Sequence, residues 1–253
     1  MKNILTIAKN TFRETIRDRI LYGILGFAIL FLLSTVFFGS ISLGEDTKVI
    51  KDLGLAGIYI FSLIIAVFLG SQLIHKELEK RTIYIILSKP VSTAQFILGK
   101  YLGLLSSLVI NIAFMAIIYL AVVKFVGNQI DYLALWAFLL NILELSVFVA
   151  LTILFSSFTA PLAGTIYAIL ILYIGHSLEL LRKAAEKSGD LVKYLVEALY
   201  YLFPNLEKFN IRNFIVYGTP PTVAQIIYPA LYSVLLTLIL LWLANLCLKK
   251  RDL

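Results

Sequence analysis

Six long apolar runs constrain this chain more than any other feature of its sequence. Each run reaches or approaches the roughly 20 residues that a helix needs to cross the hydrocarbon core of a bilayer. Because lipid offers no partner to free backbone groups, we predict that all six runs are helices. For the fifth run, an earlier end near Tyr173 is the alternative, since Gly175, His176 and Glu179 make its last turns polar. The runs are Leu21–Phe38, Leu53–Ile74, Tyr101–Val123, Leu133–Phe155, Leu162–Leu181 and Ile226–Leu248.

The composition also indicates a membrane protein. Of the 253 residues, 60% are apolar, whereas soluble domains are roughly 45 to 50% apolar. The single cysteine, Cys247, cannot form an intrachain disulfide, and the two histidines, His75 and His176, lie far apart in the sequence. We therefore expect neither a disulfide framework nor a metal site. Each histidine lies at a predicted membrane boundary, and we expect an interfacial position for both rather than metal ligation.

The N-terminal segment from Ile4 to Ile20 is predicted to form an amphipathic helix. Its apolar side chains recur every four residues, and charged side chains fall between them. A helix with a basic face of this kind typically lies in the membrane interface. A short soluble helix on a cytosolic partner is the alternative. Because the segment runs into the first apolar run without a break, we favour the position in the membrane plane.

The distribution of Lys and Arg predicts the orientation of the chain. Five of these residues precede the first run, five lie between residues 75 and 100, and three lie in the C-terminal tail, against five acidic residues on that side. The opposite side carries nine residues of each sign. Cytosolic loops carry the excess of Lys and Arg, so both termini are predicted to be cytosolic. Membrane topology thus explains the net charge of +7 without nucleic-acid binding.

The segment from His75 to Lys100, HKELEKRTIYIILSKPVSTAQFILGK, is the largest predicted cytosolic surface. Glu77 and Arg81 are spaced four residues apart, which supports a helix. Ser92 and Gln95 form a capping-box pattern, so a second helix is predicted to begin at Ser92 and to continue into the third run. We expect this segment to be ordered rather than a slack linker.

The segment from Arg182 to Gln225 is the one long connection on the opposite side. An apolar stripe in its first part ends at Pro204, where a helix is predicted to stop. The part that follows is rich in aromatic residues. Because a loop of this length without structure is unusual, we expect the segment to fold back onto the membrane face or onto a partner subunit.

The sequence offers little that could support catalysis. Gly99-Lys100 lacks the remaining residues of a phosphate-binding P-loop. The apolar runs also lack the paired carboxylates with histidines, or the Ser and Lys dyad, that an intramembrane protease needs. We therefore predict no catalytic residue, no metal and no cofactor in this chain, so that any ATP and Mg²⁺ are bound by a separate protein.

Glu144 lies in the middle of the fourth run, where an ionised carboxylate costs about 2.5 to 3.5 kcal/mol on insertion scales. Asn141 lies almost one turn away, and Asn111 lies in the third run. Two interpretations stay open: these residues line a translocation path, or they form hydrogen bonds between helices worth about 0.6 kcal/mol each.

Gly99 and Gly103 have the GxxxG spacing that lets two helices approach closely.

Three stretches together resemble the ATP-binding-cassette (ABC) type 2 permeases, in particular the branch associated with copper-enzyme maturation in nitrous-oxide reductase systems. They are the helix Ile4 to Ile20, the sequence KELEKRTIYIILSKPVSTAQFILGKYLG from Lys76 to Gly103, and FPNLEKFNIRN from Phe203 to Asn213. The resemblance implies an all-α polytopic fold in one domain, residues 1–253. It has an interfacial elbow helix over 4–20, six transmembrane helices, a cytosolic coupling helix within 75–100 between helices 2 and 3, and an external helical hairpin within 182–225 between helices 5 and 6.

The resemblance further implies a half-transporter. Two such subunits, here expected to form a homodimer in the plasma membrane, enclose the pathway, and each docks a separate ATPase that binds ATP and Mg²⁺. Carried onto this sequence, the residues that contact the ATPase are Glu77, Glu79, Arg81, Ser88, Lys89 and Pro90.

The leading hypothesis for function is the permease subunit of an ATP-driven exporter, surrounded by membrane lipid. The alternative is a protein that uses the strokes of an ATPase to move an extracytoplasmic partner without passing a substrate. The substrate does not follow from the resemblance. One Cys and two Met argue against a dedicated channel for copper, which prefers soft sulfur ligands.

Overall fold

The computed structural model describes residues 2–42, 44–79, 91–186 and 189–250, without the side chains of residues 71–79, 161 and 250. Every regular element in these ranges is helical, which confirms the all-α prediction. The helices are α1 (Lys2–Ile16), α2 (Arg19–Ile41), α3 (Asp46–Glu79), α4 (Thr93–Gly127), α5 (Ala134–Phe158), α6 (Pro161–Ala185), α7 (Asp190–Leu202), a 3₁₀ turn (Glu207–Phe209), α8 (Arg212–Val216) and α9 (Val223–Lys250).

Six of these helices are long and apolar enough to cross a membrane, as predicted. The spans are Arg19–Ile41, Asp46–Gly70, Thr93–Gly127, Ala134–Phe158, Leu162–Ala185 and Val223–Lys249. Helix α5 is the central one, because 72% of its apolar window is buried and it packs against α3, α4, α6 and α9. Helix α4 has 35 residues and is therefore about 52 Å long at 1.5 Å per residue, longer than the hydrocarbon core of about 30 Å.

The predicted fifth run, Leu162–Leu181, lies within α6, and the alternative of an earlier end near Tyr173 is wrong, since α6 continues to Ala185. Its polar turns continue as a helix because they have partners outside the helix. Glu179 accepts a hydrogen bond from the Asn205 side chain at 2.8 Å. At Gly175, a Cβ atom would lie 2.9 Å from the Leu206 side chain, so the glycine gives the following segment room to pack closely. The same residues that look like a helix end in the sequence thus form a packing surface.

Helix α1 packs along the first turns of α4. A Cβ atom on Gly99 would lie 2.6 Å from Cβ of Ile7, and one on Gly103 would lie 2.6 Å from Cβ of Thr11. The second contact is four residues further along both helices, so α1 and α4 run side by side in the same direction. The GxxxG spacing therefore has its close partner inside the same chain.

The start of α4, α1 and the end of α9 meet at one end of the bundle. The Asn3 amide donates to Oε1 of Gln95 at 3.5 Å, and the Thr93 hydroxyl donates to Oδ1 of Asn245 at 2.8 Å. Both ends of the chain and the beginning of the third span are therefore neighbours. We call this end of the bundle the terminal end.

The capping box predicted before the third span is present. Ser92 accepts from the backbone N–H of Gln95 at 3.3 Å, and the Gln95 side chain accepts from the backbone N–H of Ser92 at 3.4 Å. Helix α4 begins at the next residue, Thr93. Because both contacts are local, the pattern in the sequence was sufficient to place this helix start.

The N-terminal helix, predicted over Ile4–Ile20, is present but ends four residues earlier than predicted. Helix α1 ends at Ile16, and α2 begins at Arg19. Asp18 lies between them in extended conformation and accepts a hydrogen bond from the backbone N–H of Ile20 at 3.1 Å, so it acts as the N-cap of α2. The position of α1 in the membrane plane stays a prediction.

Candidate functional site

A cavity of about 320 Å³, here called the chamber, lies between α3, α5, α6 and the segment that follows α7. Its wall is mostly apolar and aromatic, with a few polar side chains, which is the usual make-up of a small-molecule site. The lining residues are Leu55, Ile58, Tyr59 and Leu63 on α3, Ala137, Phe138, Asn141 and Glu144 on α5, Leu172, Tyr173 and His176 on α6, and Phe209, Asn210, Ile211 and Arg212 after α7.

His176 is the centre of the polar side of the chamber. Its Nε2 atom lies 2.8 Å from Oε1 of Glu144 and 2.9 Å from the hydroxyl of Tyr59. Its Nδ1 atom lies 3.0 Å from Oε2 of Glu207. The Tyr59 hydroxyl in turn donates to Oε1 of Glu144 at 2.8 Å. One imidazole thus joins α3, α5, α6 and the 3₁₀ turn, and we call these four residues the His176 cluster.

A protonated imidazole can donate a hydrogen bond from each ring nitrogen to one of the two carboxylates of the His176 cluster. Each ring nitrogen faces a carboxylate oxygen, and a hydrogen bond at each contact needs its own proton. With the imidazole protonated, Glu144, His176 and Glu207 together carry a net charge of −1. The second oxygen of Glu144, Oε2, takes no part in these hydrogen bonds.

The segment after α7 is positioned by backbone and side-chain contacts. The backbone N–H of Leu206 donates to the carbonyl oxygen of Gly175 at 3.3 Å, and the Asn210 amide donates to Oε1 of Glu207 at 2.9 Å. Leu206 and Phe209 are buried. These contacts hold the 3₁₀ turn against α6, and Glu207 therefore reaches His176.

A second ion pair ties this segment to α3. Nε of Arg212 lies 2.9 Å from Oδ1 of Asp52, and both side chains are more than 40% exposed. Arg212 is the one Arg among the described residues that line the chamber, and Asp52 neutralises it, so this side does not balance the negative charge that the His176 cluster carries with a protonated imidazole.

The residues predicted for a translocation path are only partly brought together. Asn141 and Glu144 both line the chamber, and the Asn141 amide donates to the Ser62 hydroxyl of α3 at 3.1 Å. Asn111 is not among the lining residues. It is buried, and its amide donates to the backbone carbonyl of Ser107 in its own helix at 2.7 Å.

The residues predicted to contact an ATPase cannot be placed in the same detail. Glu77 and Glu79 belong to the last turns of α3, and their side chains are outside the description. Arg81, Ser88, Lys89 and Pro90 lie outside the described residues. Their role stays a prediction.

Three residues of the His176 cluster were missed from the sequence: Tyr59, His176 and Glu207. His176 was assigned to the membrane boundary, whereas the structure places it on α6 with its side chain 23% exposed and bonded to two carboxylates. The sequence did contain a signal for this pairing. His176 lies in a polar turn of an apolar run, and Glu207 is an acidic residue in the aromatic segment, so each needs a polar partner. Their pairing depends on how that segment folds back.

The His176 cluster does not have the geometry of a metal site. The two carboxylates lie on opposite nitrogens of one imidazole ring, so they cannot share an ion with the same ring nitrogen. Within the described ranges, no group of three or more His, Cys, Asp or Glu side chains is arranged to hold a metal ion.

Six apolar helices long enough to cross a bilayer define a multi-pass helical membrane protein, and a mostly apolar chamber with a polar side lies between three of them. The sequence profile of the family described as ABC-2 family transporter protein matches residues 5–253. The chain therefore belongs to the ABC-2 transporter family and is a membrane permease of the ABC class. No curated individual protein matches it.

Proposed function

We propose that this chain is the permease subunit of an ATP-driven exporter, that it works as a homodimer, and that a separate ATPase supplies the energy. Its family membership over residues 5–253 is the observation that carries this proposal. The place of the chain in the nitrous-oxide reductase branch stays a prediction.

The terminal end of the bundle is where we place the ATPase. Helix α1, the end of α3, the start of α4 and the end of α9 all reach this end. The excess of Lys and Arg in the termini and in residues 75–100 supports a cytosolic position for it. The capped start of α4 continues directly into a span, so a push on Ser92 would move the third span as a rigid helix.

The test of this proposal is purification of the tagged chain from its native membrane. We expect a P-loop ATPase to co-purify and the complex to hydrolyse ATP. In the complex, Arg81→Glu should lower ATP hydrolysis stimulated by the permease while leaving assembly intact. Lys193→Glu, on the exposed face of α7, is the charge-matched control. Absence of an ATPase would contradict the proposal, and wild-type rates in Arg81→Glu would contradict the role of that residue.

A second candidate function is motion transmitted to an extracytoplasmic partner. The observation that favours it is α7, which has no buried residue and exposes large apolar side chains. Helix α7 contacts α6 through polar side chains, among them Arg182 with Glu197 at 3.4 Å. A displacement of α6 would therefore also displace α7 and any external protein bound to it. Cross-linking at Tyr194, which is 78% exposed, should capture an external protein if this function is correct.

A further inference from the structure

The chamber has the chemical character of a binding site for a positively charged organic molecule. This inference rests on the proposed function, because it names the substrate class that such a permease would take. Three observations support it: the charge of the His176 cluster, the free acceptors on α5, and the aromatic wall.

Among the charged groups at and beside the chamber, acidic side chains exceed basic ones by one when His176 is protonated. Two carboxylates, Glu144 in the lining and Glu207 outside it, face one imidazole, and Arg212 is paired with Asp52 at 2.9 Å. Glu144 is only 3% exposed. Because Glu144 shares its imidazole partner with Glu207, a further positive charge in the chamber would be attracted to the Glu144 carboxylate.

Two acceptor atoms on neighbouring turns of α5 have unused hydrogen-bonding capacity. Oε2 of Glu144 is not used by Tyr59 or His176, and Glu144 lines the chamber. Three residues earlier on α5, Asn141 also lines the chamber, and its Oδ1 atom has no hydrogen-bond partner among the described residues but is buried away from the open space. A group with N–H donors in the chamber would satisfy Oε2 of Glu144 directly, and it would satisfy Oδ1 of Asn141 after a rotation of that side chain. An anion or a carbonyl would satisfy neither.

The remainder of the wall is suited to an organic body rather than to a bare metal ion. Tyr59, Phe138, Tyr173 and Phe209 line the chamber, and aromatic faces attract organic cations. Inorganic cations such as Ca²⁺ need about six oxygen ligands, many more than α5 offers. A volume of about 320 Å³ lies at the lower end of the range for drug-sized ligands.

We propose that the chamber binds a small amphiphilic organic monocation. Its ammonium group lies against Glu144 and Asn141, and its apolar body lies among the aromatic side chains of α3, α5 and α6.

The experiment is equilibrium dialysis of three probes with the same indole body against the full chain in phosphatidylcholine nanodiscs. Tryptamine is a cation at neutral pH, 3-ethylindole is neutral, and indole-3-acetate is an anion. Empty nanodiscs correct for uptake by lipid. We expect tryptamine to bind at least about tenfold more tightly than 3-ethylindole, because the buried carboxylate favours the cation, and indole-3-acetate to bind least.

Substitutions in the chamber test whether tryptamine binds there. Glu144→Gln should lower the affinity for tryptamine by about tenfold or more and leave that for 3-ethylindole unchanged. Glu197→Gln, whose side chain is 47% exposed and faces Arg182, is the matched control outside the chamber. If Glu144→Gln does not fold, as judged by gel filtration, Asn141→Leu is the second variant and should also weaken tryptamine binding selectively.

Equal affinity for tryptamine and 3-ethylindole would overturn the inference. So would binding of tryptamine that is unchanged by the folded Glu144→Gln or Asn141→Leu variant. The measurement uses the permease alone, so its result is separate from the search for an ATPase. Selective binding without a co-purifying ATPase would contradict the exporter but support the chamber.

Discussion

Glu144 shows how one side chain can meet two needs in a membrane. Its Oε1 atom accepts from Tyr59 and lies beside His176, which fits the interpretation of hydrogen bonding between helices. The same residue lines the chamber, which fits the interpretation of a polar path. These interpretations are compatible, because a carboxylate has two oxygens and the cluster uses one.

His176→Ala is expected to loosen the segment after α7. Without the imidazole, Glu144 stays buried and loses its charged partner, a change that costs about 3–5 kcal/mol for buried pairs. We expect faster hydrogen exchange at the backbone N–H groups of residues 206–212, measured by mass spectrometry in nanodiscs, and a lower thermal unfolding temperature.

The control for this prediction is Lys193→Ala. The Lys193 ammonium is exposed, and its contact with Asp190 is long, at 4.0 Å, so it contributes little to stability. This substitution should change neither quantity. Glu207→Gln should have a smaller effect than His176→Ala, because the Glu207 side chain is 36% exposed and water solvates it. Exchange that stays at the wild-type rate in His176→Ala would show that the imidazole does not hold the segment.

At the scale of helices, the contact between α1 and α4 depends on the absence of side chains. A Cβ atom on Gly103 would lie 2.7 Å from the backbone carbonyl oxygen of Ala8, and backbone cannot rotate away as a side chain can. Thr11 of α1 lies in this contact and is buried, as is Thr15 of the same helix. The docking of α1 is therefore sensitive to any larger residue at position 103.

Gly103→Leu is expected to displace α1 from α4. The measurement is thiol cross-linking between Asn3→Cys and Gln95→Cys, whose native side chains are 3.5 Å apart, in a chain with Cys247→Ser. We expect the yield with a short bifunctional reagent to fall several-fold. Gly26→Leu is the matched control, because a Cβ atom there meets nothing within 4 Å. An undiminished yield in Gly103→Leu would mean that α1 can dock without the close approach.

At the scale of the whole molecule, the terminal end and α7 lie on opposite sides of the bundle. Five spans separate α1 from α7, and a sixth brings the chain back to the terminal end. The Lys and Arg bias of the sequence predicts that the terminal end faces the cytosol. Among the described residues, Lys2, Lys100 and Lys249 belong to the helix segments that meet at this end.

Single-cysteine labelling tests this orientation in the native membrane. In a chain with Cys247→Ser, Lys2→Cys and Lys249→Cys are exposed at the terminal end, and Lys193→Cys is exposed on α7. We expect a membrane-impermeant maleimide added outside intact cells to label Lys193→Cys alone. The other two should react only after the membrane is opened. Labelling of Lys2→Cys in intact cells would reverse the assigned orientation.

The sequence by itself determined the six spans, the helix start at Ser92 and the end of α7 before Pro204. These features depend on local causes: apolar length, a capping side chain, and a proline without an N–H group. The sequence also indicated that Glu144 must have a partner. Local reasoning left the end of the fifth span open, because the polar turn at Gly175 also allowed an earlier end.

The tertiary structure alone decided which residues form the chamber and the adjoining His176 cluster. Tyr59, Glu144, His176 and Glu207 come from four separate segments, and they meet because Leu206 and Phe209 pack into the bundle beside Gly175. No local pattern encodes that packing, since it depends on which helix faces adjoin. The sequence thus determined that the fourth span carries a carboxyl group, that of Glu144. The fold determined that the imidazole of His176 joins Glu144 to Glu207.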